Sequence, residues 1–135
     1  MDKKKVLVNV SWDENYCACS DLLLGCVAAH ETLEGVKRYM RDAIQWHLES
    51  MREDGEDIPE EFQGEYELVF RLNVQALMQK YKGVLTQAGL ERLTGINKRQ
   101  LQHYSSGRHQ PFPAQRKKIE RALHGFGKEL MEVEL

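Results

Sequence analysis

Five side chains in the last third of the chain have types and spacing suited to reading a nucleic acid: Lys98, Arg99, Gln102, His103 and Ser106. On a helix, at about 100° per residue, they fall within an arc of roughly 140°. Leu101 and Tyr104 point to the other side. Arg and Lys match the edge of guanine, Gln that of adenine, and hydroxyls the phosphate oxygens. A short helix docked by a three- or four-residue turn is the geometry that places such a face in a major groove. The competing reading is an ordinary helical hairpin with a solvated polar face.

The elements that must hold these residues are legible around them. Thr86 is a natural N-cap and Gln87 opens a first helix, with Leu90 and Leu93 on its apolar side. Gly95 stands where a helix end needs a left-handed residue, and Ile96 is expected to pack between the helices. Asn97 can cap a second helix running to about Ser106, which Gly107 closes. Upstream, Asn73 to Leu85 is amphipathic, with Val74, Leu77, Met78, Tyr81 and Leu85. Downstream, Arg108 to Pro113 is a stiff loop, because two prolines fix φ. Ala114 to Leu123 reads as a basic helix carrying Arg116, Lys117, Lys118 and Arg121, with Ile119, Ala122 and Leu123 buried. A helix-turn-helix nearby favours phosphate contact for this run over a merely solvated face. Gly125 and Gly127 are expected to break the helix. Lys128 to Leu135 is then a short helix or a strand, and Val133 and Leu135 suit dimer contacts.

Charge divides the chain. Residues 1–70 hold 7 Lys+Arg against 16 Asp+Glu, a net −9, and residues 71–135 hold 12 against 5, a net +7. A basic half suits nucleic acid and an acidic half suits a basic protein, although acidic runs also serve solubility alone. The 135 residues make one compact domain or two very small ones. No stretch has the apolar length of a membrane span, and the charged start lacks the pattern of a secretory signal. Three cysteines, an odd number, argue against a disulfide scaffold and for a reducing, cytoplasmic setting.

The first half alternates in strand fashion over Val6–Ser11, Tyr16–Ser20 and, more briefly, Cys26–His30. Thr32 caps a long helix, about Leu33 to Met51, whose stripe runs through Val36, Met40, Ile44 and Leu48. Gly35 stands where a capping box would want Glu. Arg52 to Gly64 is an acidic loop, and Glu65 to Leu72 alternates again. The order β-β-β-α-β followed by helices predicts an α+β chain with domains at 1–64 plus strand 65–72, and at 73–135. Cys17, Cys19, Cys26 and His30 have zinc-ligand chemistry, but C-x-C lacks the usual knuckle spacing, so core cysteines are expected. His47, on the apolar stripe, reads as a core or interface residue.

Two resemblances sharpen this. Thr86-Gln87, Leu90, Gly95-Ile96-Asn97, Leu101, Tyr104, Gly107-Arg108 and Pro111 resemble the helix-turn-helix of the Cro/C1 repressor family. That likeness implies a phosphate grip at Gln87 and base reading by Lys98, Arg99 and Gln102. Glu91 and Thr94 depart from it, standing where the family usually has Ala and Leu; Glu91 would need a partner such as Arg92 or Lys98. Over nearly the full length, the ordered set Val6–Val10, Asp13-Glu14, Tyr16, Asp21-Leu22, Gly25-Cys26-Val27, Thr32-Leu33-Glu34, the helix to Leu48, Glu53-Asp54-Gly55 and Ile58-Pro59 resembles the antitoxin half of HicA/HicB toxin–antitoxin pairs. Leu23-Leu24 departs where a Pro commonly precedes the Gly.

The second resemblance implies a partial RNase H-like first domain that binds a small, basic, RNA-cleaving toxin. It also implies a second domain that dimerises, as a homodimer or higher homo-oligomer, and represses its operon from an upstream operator. The DNA-binding set is then Thr86, Gln87, Asn97, Lys98, Arg99, Gln102, His103, Ser106, Arg108, Arg116 and Lys117. No catalytic residue, metal or cofactor is expected. Asp13, Glu14 and Asp21 sit in a turn and at a strand end, unlike the inward carboxylates of a two-metal nuclease. The alternative is a solitary transcription regulator whose first domain senses a ligand.

Overall fold

The computed structural model describes residues 3–135. Strands β1 (Lys4–Asp13), β2 (Asn15–Cys19) and β3 (Val27–His30) precede a long helix, α1 (Leu33–Glu53), and a last strand, β4 (Tyr66–Leu72). Four helices follow: α2 (Val74–Lys80), α3 (Gln87–Thr94), α4 (Lys98–Ser105) and α5 (Pro113–Met131). The protein is therefore mixed α and β. The chain divides into two compact units, one up to Ala76 and one from Leu77 to Leu135.

In the first unit the strands lie in the order β3-β2-β1-β4. β1 turns into β2 at Glu14, the single non-glycine residue with positive φ (66°) among the described residues. The pair is antiparallel, as a tight turn requires, and so is β2 with β3. β4 lies parallel to β1, which needs the long crossover that α1 provides. Register opposes Val6 to Leu68, Val8 to Phe70 and Val10 to Leu72, and Ala18 to Ala28 on the other side. Those residues share one face. α1 covers it with Leu33, Val36, Met40, Ile44 and Leu48, all buried. Full burial of side chains this size stabilises by about 1.5–3 kcal/mol each. Phe62, 1% exposed, enters the same core from a 3-10 turn at Glu60–Phe62 inside the stretch expected to be plain loop.

Gly35 has a physical reason. The Thr32 hydroxyl caps α1 by accepting from the Gly35 N–H at 3.0 Å, and the Thr32 N–H donates to His30 Nδ1 at 2.9 Å. A Cβ on residue 35 would lie 2.0 Å from that nitrogen. The imidazole, edge-on to Tyr39 at 5.0 Å, occupies the space a side chain would need.

The expectation of three core cysteines is corrected. Only Cys26 is buried, and burial pushes its thiol pKa up. Cys17 pairs with Ser11 and Ala29, and Cys19 with Asn9 and Val27, so strand alternation turns both away from α1. Cys17 is half-buried and Cys19 exposed.

In the second unit Leu90, Ile96, Leu101, Tyr104 and Ile119 form the buried apolar set, with Met78. Two expected boundaries move. α2 ends at Lys80 rather than near Leu85, because the chain turns over Tyr81–Val84 and Gly83 takes φ 87°. α5 does not stop at Gly125 and Gly127 but runs on to Met131. Each glycine costs a helix about 1 kcal/mol relative to Ala, which is a tax rather than a stop. Neither adopts positive φ, and no proline follows.

Candidate nucleic-acid interface

The candidate interface lies on two helices of eight residues each, α3 and α4. The Thr86 hydroxyl accepts from the Gly89 N–H at 2.9 Å and fixes the start of α3. Gly95, at φ 75°, ends it in the left-handed conformation, and its N–H bonds back to the Glu91 carbonyl. Ile96 is 4% exposed between the helices. Asn97 Oδ1 then accepts from the Arg99 N–H at 2.8 Å and starts α4. The connection is three residues, Gly95 to Asn97.

Both departures from the repressor pattern are compensated. A Glu91 carboxylate oxygen accepts from the Lys98 N–H, so the acid expected to need a partner takes a backbone donor at the positive end of α4. Thr94, though polar, is buried with its hydroxyl used twice. It donates to the Leu90 carbonyl at 2.6 Å and accepts from the Ile96 N–H at 3.0 Å. No buried side-chain polar atom among the described residues lacks a partner.

α4 divides as its sequence dictates. Leu101 and Tyr104 are buried; Lys98, Arg99, Gln102 and Ser106 are exposed, and His103 is half-buried. Arg108 and His109 follow on the loop, and the His103 and His109 rings lie 4.9 Å apart. The pKa of His103 is lowered by partial desolvation first, then by repulsion from Arg108, His109 and Arg99. Arg99, Arg108 and His109 gather positive charge around this ring, and positive charge attracts phosphate.

Of the expected site residues, Asn97, Lys98, Arg99, Gln102, His103, Ser106 and Arg108 come together on or beside α4. Thr86 and Asn97 are there as caps. Gln87 is tied to α4 itself, donating from Nε2 to Ser105 Oγ at 3.1 Å. That brace between the helices was not read from the sequence. Arg116 and Lys117 stand apart, in the exposed first turns of α5, a helix that packs on α3. Lys117 pairs loosely with Glu120 at 3.7 Å, a surface contact that contributes little.

Charge follows the division into units. Up to Ala76 the chain carries 8 Lys+Arg and 16 Asp+Glu, net −8; beyond it, 11 and 5, net +6. The acidic excess is concentrated between Glu53 and Glu67, where eight carboxylates occur with no Lys or Arg among them. All eight are exposed.

Elsewhere, among the described residues, no group of three or more His, Cys, Asp or Glu side chains is gathered as a metal would need. Asp21 sits against Asn9, 3.4 Å from its amide nitrogen. Ser11, Cys17, Cys19, Val27 and Ala29 line a shallow, mostly apolar depression on the sheet face away from α1. No described helix is long and apolar enough to cross a membrane. No family model, curated protein or solved structure matches the chain.

Proposed function

We propose that this chain is an antitoxin that neutralises a small HicA-like, RNA-cleaving toxin by direct binding and represses its own operon by binding DNA. The observation that carries the reading is the α4 surface: a capped helix, anchored by Leu101 and Tyr104, that presents Lys98, Arg99, Gln102 and Ser106 outward. We read α3 and α4 as a Cro/C1-type helix-turn-helix, and the first unit as a partial RNase H-like antitoxin domain. Arg99 and Gln102 contact base edges. Lys98 reads bases with them, and His103, Ser106, Arg108, Arg116 and Lys117 serve phosphates. Thr86 acts through its cap, which fixes the start of α3 beside the backbone of the duplex. Asn97 acts by fixing the start of α4, where the Lys98 and Arg99 N–H groups are held by Glu91 and by Asn97 itself. Gln87 reaches phosphate from a position braced on Ser105.

The first unit supplies the opposite recognition. Its eight exposed carboxylates between Glu53 and Glu67 suit a small basic protein and would repel DNA. The chain does no chemistry of its own in this account; it blocks the RNA-cleaving site of its partner.

Co-expression of the full chain with the product of the neighbouring gene tests the proposal. The expected result is a stable complex with a small basic protein whose RNA cleavage stops on binding. If no complex forms, the antitoxin reading fails. A solitary regulator with a ligand-sensing first unit then takes its place.

A further inference from the structure

Cys17 and Cys19 stand outside the core, and the sheet fixes their places. β2 lies between β1 and β3. In that ladder Cys17 is opposed by Ser11 and Ala29, and Cys19 by Asn9 and Val27. Residues two apart on a strand project from one face. Both thiols therefore stand on the face away from α1, in the shallow depression that Ser11, Val27 and Ala29 also line. Cys17 is half-buried, Cys19 is exposed, and both are free thiols.

Distance decides what two such thiols can do. At about 3.3 Å of rise per residue, their Cα atoms lie about 6.6 Å apart and their Cβ atoms point the same way. A disulfide needs Cβ atoms about 3.5–4.5 Å apart. Pairing on both sides of β2 holds these two farther apart than that. A bridging ion fits instead. Two metal–thiolate bonds of about 2.3 Å set the sulfurs about 4.6 Å apart. Rotation about χ1 supplies that approach without moving the backbone. Cys17 Sγ now leans toward the Asn15 carbonyl oxygen at 3.8 Å, a weak contact that the rotation releases.

The donor set selects the ion. Among the described residues no third His, Cys, Asp or Glu side chain joins the pair, which excludes a tetrahedral zinc site built from four ligands of this chain. Hard cations take oxygen ligands, whereas thiolates select soft ones. Copper(I) is soft and is satisfied by two sulfurs in a line. We propose that Cys17 and Cys19 form a two-thiolate site for copper(I). Binding forms two S–Cu bonds, breaks two S–H bonds and releases both protons to solvent, with no change of oxidation state. The third thiol, Cys26, is buried in the core and takes no part.

Anaerobic titration of the full, reduced chain with copper(I) held by a coloured copper(I) chelator tests this, independently of toxin and DNA. The expected result is transfer of a single ion per chain, with a thiolate-to-copper absorption in the near ultraviolet. Cys17→Ser and Cys19→Ser each abolish the transfer and leave the thermal midpoint close to that of the wild type, because both side chains lie outside the core. On the unaltered chain, copper(I) shields Cys17 and Cys19 together from iodoacetamide, read by peptide mass. No transfer, transfer that survives either serine substitution, one ion shared between two chains, or a pair still alkylated in the presence of copper(I) would each overturn the proposal.

Discussion

α1 and α5 are the two long helices of this protein, of 21 and 19 residues, and both carry an apolar stripe. α1 buries six residues along its whole length, against a sheet whose Val6, Val8 and Val10 meet it. α5 buries one. The difference lies in what each helix was given to pack on. A sheet offers a broad apolar face, whereas α3 and α4, of eight residues each, offer a short one. Past Ile119 the stripe of α5 is left half-buried or exposed.

The largest effect that separates the helices is truncation in their stripes. Ile44→Ala should destabilise the chain by about 2–5 kcal/mol through the cavity it leaves under α1. Leu130→Ala should shift the stability of the monomer by less than about 0.5 kcal/mol. Denaturant melts of both variants at low concentration check this. Equal losses would mean that α5 is covered within its own chain.

Glycine sharpens the same contrast. Gly35→Ala drives a methyl group into the His30 ring and should cost about 1–3 kcal/mol. His30→Ala in the same chain should recover part of that loss, since the space is then free. Gly127→Ala meets nothing within 4 Å and should stabilise by up to about 1 kcal/mol. The two substitutions are alike on paper and opposite in sign.

The smallest expected effect is at His103. Its pKa is lowered in the folded chain, so the unfolded chain binds the proton more readily. Its contribution therefore leaves stability unaffected at high pH and lowers it as the pH falls through the ordinary histidine range. NMR titration of the ring should give a midpoint below that of an unperturbed histidine, and Arg108→Ala should move it upward. An unmoved midpoint would remove the cationic neighbours as a cause.

The local signals were legible because each is a short-range requirement. Thr86, Gly95, Asn97 and Thr32 mark helix ends by chemistry that acts over two or three residues. The alternation of Val6, Val8 and Val10 reads as a strand for the same reason. What escaped depends on distant partners. Phe62 is buried only because β1, far from it in sequence, needs filling. For Glu91 the sequence pointed to Lys98 as a partner but not to its backbone N–H as the donor. Cys17 and Cys19 looked like core residues until register fixed which face they occupy. Gly125 and Gly127 looked like a helix end, but their propensity cost is too small to stop a helix that nothing else interrupts.

The most direct test of the central claim is a fluorescence-anisotropy titration of the full chain against the duplex upstream of its own gene and a scrambled duplex, at two salt concentrations. The expected result is preferential binding to the upstream duplex, with Arg99→Ala losing about 1–3 kcal/mol of that preference. Arg116→Ala should weaken both duplexes alike and flatten the salt dependence. Equal affinity for the two duplexes, or an Arg99→Ala variant indistinguishable from wild type, would contradict the assignment of α4 as the reading helix.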